Sequence, residues 1–211
     1  MMTEALNDYL LEHITPEHPY LHALFRATQL QLVRGHMASG HLQGELLTML
    51  VKMVRPRRVL EIGTYSGYSA LAMARGLDEG AELVTFEVND EMEDFTRPWI
   101  ERSPWADKVK FLIGDARDHL EPDERFDLIF IDANKRHYCD YLELSLAHLS
   151  PEGFILADNT LWDGHVVESQ YDKDAQTVGI REFNDMVAHR ADLEVVMLPL
   201  RDGLTLLRRK I

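Results

Sequence analysis

Between residues 57 and 159 the chain alternates short, unbroken apolar runs with segments of helical period. The runs are "RRVLEIG", "AELVTFEV", "VKFLIGD", "FDLIFIDA" and "GFILADN". An apolar run without polar alternation reads as a strand buried on both faces. "YSALAMARGL", "DEMEDFTRPWIERS" and "YLELSLAHL" are the helical segments among them, and the acidic first turn of the second suits the helix dipole. This alternation predicts a parallel sheet covered on both sides. The end of the chain departs from it. "LEVVMLPL" and "GLTLLRRK" are strands joined by Arg201-Asp202-Gly203, and Asp-Gly between apolar runs signals a hairpin. The expected α/β sheet is doubly wound and closes in an antiparallel pair.

Residues 1–55 read as a helical N-terminal extension to a core of 56–211, all within one domain. "PYLHALFRATQLQLVRG" places Leu21, Leu24, Phe25, Thr28 and Leu32 near one face, with Gly35 as a stop. "MASGHLQG" reads as a loop, and "ELLTMLVKMV" as a second helix ended by Pro56. A net charge of −14 argues against a surface built for nucleic acid or an anionic membrane. The one cysteine, Cys139, excludes an intramolecular disulfide and fits a reducing cytoplasm. The opening residues carry acids and no apolar core, so no signal peptide is expected, and no run approaches the ~20 apolar residues of a membrane span.

Ligands in such sheets bind at the carboxyl ends of the strands. "VLEIGTYSGYSALAMA" is a strand, a glycine turn and a helix, with Gly63 and Gly67 permitting a sharp turn. A dinucleotide fingerprint would place a second glycine where Tyr65 stands, so a cofactor without a pyrophosphate fits better. Glu87 ends the second strand, where this architecture places a ribose-binding acid, and Asp115 ends the third, where it could face adenine. Two further strands end in oxygen donors: Asp132, followed by Lys135, and the pair Asp158-Asn159.

"GHLQGELL", "VLEIGTYSGYSALAMA", "FDLIFIDANKRHYCDYL" and "ILADN" together resemble the cation-dependent O-methyltransferases, the group of catechol and caffeoyl-CoA O-methyltransferases. The resemblance runs in order from about residue 36 to 165. It implies the Rossmann-like fold of S-adenosylmethionine-dependent methyltransferases, a seven-stranded, mostly parallel sheet with a C-terminal antiparallel hairpin. It also implies a role for each matching position. Asp132, Asp158 and Asn159 correspond to metal ligands, and Lys135, beside Asp132, to the catalytic lysine. Glu61, Gly63, Tyr68 and Ser69 lie in the segment that holds the methionine part of the cofactor. Met37 and Ser39 match a loop that closes over it, Glu87 the ribose-binding acid, and Asp115 and Ala116 the adenine pocket. Asn134 departs from the acid that bacterial relatives often carry there. A homodimer is implied as well.

Two carboxylates and an amide oxygen form a hard donor set, which selects Mg²⁺, Mn²⁺ or Ca²⁺ over zinc or copper. Three protein ligands leave about three positions of an octahedral ion, two of which a vicinal diol can fill. The resemblance to the catechol and caffeoyl-CoA enzymes makes a small aromatic diol the expected acceptor. Lys135 could take the hydroxyl proton, or stay charged and stabilise the phenolate. The plain alternative for these residues is a helix cap at Asp132 and a turn at Asp158-Asn159. His137, Tyr138 and Cys139 are expected to be helix packing. Trp162 and Tyr171 lie in or near "TLWDGHVVESQY", expected to border the substrate opening. Two other readings stay open: a hydroxylated uridine of transfer RNA as acceptor, and a non-catalytic module of the same fold.

Overall fold

The computed structural model describes residues 4–210. Its strands are β1 (Arg58–Ile62), β2 (Glu82–Glu87), β3 (Val109–Ile113), β4 (Phe126–Ile131), β5 (Leu149–Asp158), β6 (Leu193–Leu198) and β7 (Leu204–Arg209). The helices are α1 (Glu4–Glu12), α2 (Pro19–Gln31), α3 (Gly40–Val54), α4 (Tyr68–Gly76), α5 (Glu93–Glu101), α6 (Ala116–His119), α7 (Tyr138–His148) and α8 (Ala175–His189). The strands form one sheet in the order β3-β2-β1-β4-β5-β7-β6. β1 to β5 pair in parallel, and β7 runs antiparallel to both β5 and β6. This is the expected mostly parallel sheet with its closing hairpin.

Alternate residues of the central strands serve opposite faces, as the strand period of two requires. Leu60, Ile62, Ile129 and Ile131 pack with Tyr138 and Leu142 of α7 and Phe183 of α8. Val59, Leu128 and Phe130 pack with Leu47 and Val51 of α3 and Met73 of α4. Each such side chain contributes roughly 1.5–3 kcal/mol on burial. Because Leu128, Ile129, Phe130 and Ile131 are all buried, β4 is anchored from both faces at the middle of the sheet. The N-terminal helices join the core through Leu21 and Leu24 of α2, which meet Tyr68 and Leu71 of α4.

Three local expectations need correction. The "GHLQ" part of the expected loop is the first turn of α3, entered through Gly40 at φ 76°. α8 stands where no element was expected. Its start is capped by Asp174, which accepts from Thr177 N at 2.8 Å, and Ile180, Phe183 and Val187 bury one stripe. The hairpin connection spans residues 199–203 rather than Arg201-Asp202-Gly203 alone, with Arg201 and Gly203 at positive φ. That longer loop folds back onto β5: Leu161 N donates to Asp202 O at 2.7 Å, and Thr160 N to Gly203 O at 3.2 Å.

Candidate functional site

The sheet order reverses between β1 and β4, so the loops at their carboxyl ends diverge and leave a crevice there. The β1 turn and the end of β4 are in direct contact. Asp132 N donates to Ile62 O at 2.9 Å. A Cβ on Gly63, at φ 101°, would lie 2.0 Å from the Asp132 carbonyl oxygen. Only glycine permits that approach. The turn that resembles a cofactor loop and the strand tip that carries Asp132 are thus one structural unit.

Glu61, on β1, is fully buried. Its Oε2 accepts from Thr85 Oγ1 at 2.5 Å, while its Oε1 is buried with no protein partner. Burial pushes its carboxyl up to about 8, the nearby Ser69 and Thr85 hydroxyls pull it down, and Asp132 and Glu87 add to the rise. A buried carboxyl with one orphaned oxygen is suited to a cationic ligand. Glu87, at the tip of β2, accepts backbone N–H groups from Tyr65 at 2.7 Å and Asn89 at 2.9 Å, one on each oxygen.

Other predicted cofactor residues sit less simply. The Tyr68 hydroxyl donates to Glu17 at 2.5 Å and its ring packs edge-on against Phe25, so the side chain faces the N-terminal helices. Ser69 and Ala116 are buried. The Asp115 carboxylate caps α6 and pairs with Arg117 at 2.6 Å. Burial works against its ionisation, but Arg117 holds it below the usual carboxylate range. Met37 is half exposed, and Ser39, which is buried, precedes α3 and offers its carbonyl to Arg201.

The β4 and β5 tips form the second half of the site. Ile131 pairs with Ala157 in parallel register, so the next residues, Asp132 and Asp158, emerge side by side. The Nζ of Lys135 donates to Asp132 Oδ1 and to the Tyr138 hydroxyl, each at 2.9 Å. The Tyr138 hydroxyl in turn donates to Asp158 O at 2.9 Å, which ties the two strand tips together. Burial draws the Lys135 ammonium down, but Asp132, Tyr138 and Asp158 outweigh it and leave its pKa above that of an ordinary lysine. Asp158 is pushed up by burial and then by Asp132, against Lys135 and Gln43. Its Oδ2 accepts from Gln43 Nε2 at 2.6 Å and its Oδ1 from Asn159 N at 2.9 Å. Asn159 adopts φ 57°, and its Nδ2 donates to Asp202 Oδ2 at 2.7 Å. That leaves the amide oxygen as its acceptor.

The capping role allowed for Asp132 falls instead to Asn134, whose Oδ1 accepts from Arg136 N at 3.2 Å. The turn reading of Asp158-Asn159 holds in part, through the bond from Asn159 N. Among the described residues no group of three His, Cys, Asp or Glu is placed to hold a metal ion. The set here is two adjacent carboxylates and an oriented amide oxygen, the donor chemistry that fits Mg²⁺, Mn²⁺ or Ca²⁺. A hollow of about 770 Å³ lined by Arg55, Arg57, Asp78 and Glu79 lies at the opposite, amino end of the sheet, away from these groups.

Three residues at this site were not anticipated. Tyr138 packs as expected, fully buried against Phe183, but its hydroxyl also holds Lys135. Gln43 lay in a stretch read as loop, and Asp202 in a stretch read only as a turn. Trp162 has its ring centroid 5.8 Å from Lys135 Nζ.

A family model described as O-methyltransferase matches residues 11–210. Caffeoyl-CoA O-methyltransferase 2 of Eucalyptus globulus is 32% identical over 226 residues, covering 99% of this chain and 90% of that protein. The O-methyltransferase from Bacillus cereus, solved with S-adenosylhomocysteine, superposes with a TM-score of 0.89 at 30% identity, covering 98% of this chain and 97% of that one. The O-methyltransferase TomG from Streptomyces achromogenes, solved with S-adenosylmethionine, gives 0.88 at 27% identity over 99% of both chains.

Proposed function

This chain belongs to the O-methyltransferase family and is an S-adenosylmethionine-dependent enzyme, and we propose that it methylates one hydroxyl of a vicinal dihydroxy aromatic bound on a divalent cation. The observation that carries this reading is the juxtaposition of Asp132 and Asp158 on adjacent strand tips, bridged through Lys135 and Tyr138. Asp132, Asp158 and Asn159 would hold the cation. When bound there, Mg²⁺, Mn²⁺ or Ca²⁺ supplies charge that lowers the pKa of an acceptor hydroxyl.

The protein's own groups divide the remaining work. Glu61, with its unpartnered Oε1, takes the ammonium of the cofactor. Glu87 takes the ribose hydroxyls. Gly63, Tyr68 and Ser69 line the methionine end, with Tyr68 contributing backbone because its hydroxyl is engaged by Glu17. Asp115 and Ala116 serve adenine through backbone for the same reason, since the Asp115 carboxylate is bound to Arg117. Met37 and Ser39 close over the cofactor. In the transfer, the acceptor oxygen forms a bond to the methyl carbon as the carbon–sulfur bond breaks. That electron pair stays on sulfur, giving the neutral thioether of S-adenosylhomocysteine, and the hydroxyl proton passes to solvent water, because Lys135 is already protonated. Lys135 acts as a charged donor. Two of its three N–H bonds go to Asp132 and Tyr138, and the third is available to the acceptor oxygen as it becomes anionic.

The same reading includes a cytoplasmic homodimer. The single cysteine supports the compartment. Leu30, Val33, Met49 and Met53, exposed on or beside α2 and α3, support the contact. The test is formation of S-adenosylhomocysteine from S-adenosylmethionine with caffeic acid or caffeoyl-CoA, the acceptor in the Eucalyptus relative's name. Turnover with Mg²⁺ that a chelator abolishes is the expected result. Turnover undiminished by the chelator would remove the cation from the reading.

A further inference from the structure

The two amides beside the strand tips cannot choose their own orientation. A glutamine or asparagine side chain carries a donor end and an acceptor end, and its neighbours decide which faces where. Gln43 is buried between Asp158 and Arg201. Arg201 Nη1 donates to Gln43 Oε1 at 2.8 Å and to Ser39 O at 2.6 Å. A guanidinium has donors only, so it fixes the oxygen end of Gln43 toward itself and leaves Nε2 for Asp158 Oδ2, at 2.6 Å. Asn159 is set in the opposite sense. The Asp202 carboxylate takes Asn159 Nδ2 at 2.7 Å and leaves the amide oxygen facing elsewhere.

Arg201 and Asp202 are neighbours of opposite charge in the β6–β7 loop, and Asp158 and Asn159 are neighbours at the end of β5. The contacts therefore close a ring: Asp158, Gln43, Arg201, Asp202, Asn159. Arg201 holds a left-handed backbone at φ 51°, a conformation that is unfavourable for a non-glycine residue. The loop keeps it through Gly203 N to Leu200 O at 2.8 Å and the bonds of Leu161 and Trp162 N to Asp202 O.

We propose that Gln43 is the positioning residue that fixes the Asp158 carboxylate, and that Arg201 keeps Gln43 in the donating orientation. The proposal rests on Asp158 being a cation ligand. Gln43 joins the segment that carries Met37 and Ser39 to the strand tip that carries Asp158, so it acts on the cation through Asp158. Without Arg201 the amide is free to turn its oxygen toward Asp158, which would replace a hydrogen bond by repulsion.

The experiment is calorimetric titration of Mn²⁺ into the wild type, Gln43→Leu and Arg201→Met, with S-adenosylhomocysteine titrated separately into each. Loss of a partner that orients a metal ligand typically weakens binding by ~10–100-fold. Gln43→Leu should show a loss in that range, and Arg201→Met a smaller loss in the same direction. In Gln43→Leu, S-adenosylhomocysteine affinity should stay within about threefold, because the Gln43 side chain hydrogen-bonds to Asp158 and Arg201 and to none of the cofactor residues; this estimate follows the near-independence of separated sites. Wild-type Mn²⁺ affinity in both variants would overturn the proposal and leave the cation reading standing. A parallel loss of both ligands in Gln43→Leu would also overturn it, by making Gln43 a purely structural residue. Failure of the wild type to bind Mn²⁺ would overturn the cation reading, and the proposal with it. Arg201→Met guards against a folding failure of Gln43→Leu, since Arg201 lies in a surface loop rather than in a helix of the core.

Discussion

The ammonium of Lys135 lies 2.9 Å from Asp132 Oδ1, and the lysine side chain is buried while the aspartate remains partly open. A buried ammonium needs such partners, because removing one leaves an uncompensated charge. Asp132 and Tyr138 supply two, and the remaining N–H is the one that can respond to negative charge developing on an acceptor. Loss of one donor of this kind typically costs ~10²–10³ in kcat. Lys135→Ala should fall in that range while S-adenosylhomocysteine affinity is retained. Steady-state kinetics beside calorimetry would check it. An equal loss of cofactor affinity would make Lys135 a residue of the fold rather than of the reaction.

Glu61 gives the ligand-free protein a pH dependence of definite sign. Its ordinary value is 4.5 and burial raises it to about 8. Between those values the native state keeps a proton that the unfolded chain has released. The stabilisation is therefore complete below about pH 4.5 and is lost as the pH rises through 8. Each unit of displacement corresponds to at most ~1.4 kcal/mol. Glu61→Gln should flatten this part of the melting-temperature profile. Asp158 is displaced in the same direction, so a residual slope should persist in the variant. S-adenosylhomocysteine carries an ammonium, so the stabilisation it gives the wild type should grow with pH across the same window. A ligand effect independent of pH would detach Glu61 from the cofactor.

Gly179 tests how α8 supports the lysine. A Cβ there would lie 2.4 Å from the Lys135 carbonyl oxygen, a backbone atom that cannot step aside cheaply. Overpacking of this kind costs roughly 1–3 kcal/mol. Gly179→Ala should lower the melting temperature by several degrees, at ~2–4 °C per kcal/mol for a chain of this size. It should lower kcat by more than that loss of stability explains, because the strain falls on the residue that carries the ammonium. Unchanged kcat in the folded variant would show that the turn yields without moving Lys135.

The sheet was legible because its strands are buried on both faces and so read as unbroken apolar runs; β4 is the clearest case. The Asp132 and Asp158 pair was legible because each follows such a run directly. α8 was not, although Ile180, Phe183 and Val187 are helically spaced and Asp174 is a good cap. Gly179 interrupts that pattern, and the reason for a glycine there lies in contact with Lys135, far away in sequence. Gln43 was obscured in a similar way. Glycine and serine around it suggested a loop, and its partner Asp158 is 115 residues distant. Asp202 looked like a turn residue and is one, but the turn also orients Asn159. What sequence pattern misses here is polar pairing between distant segments, which leaves no periodicity.

Trp162 is partly buried against the α7–α8 face of the core. Its ring centroid is 5.8 Å from Lys135 Nζ, within reach of a cation–π attraction. Its backbone N–H is fixed by Asp202 O at 3.0 Å and Asn159 O at 3.1 Å, which sets the ring's place beside the strand tip. An aromatic acceptor held at Asp132 and Asp158 would have this indole as a wall. An aromatic pair contributes about 0.5–1.5 kcal/mol beyond the area it buries. Trp162→Ala should therefore raise KM for a catechol acceptor by ~3–10-fold or more and leave KM for S-adenosylmethionine unchanged. Trp162→Phe should recover most of the loss, because it restores an aromatic face. If Trp162→Ala raised both KM values alike, the indole would be holding the strand tip rather than the acceptor. If it changed neither, the acceptor would approach from another side.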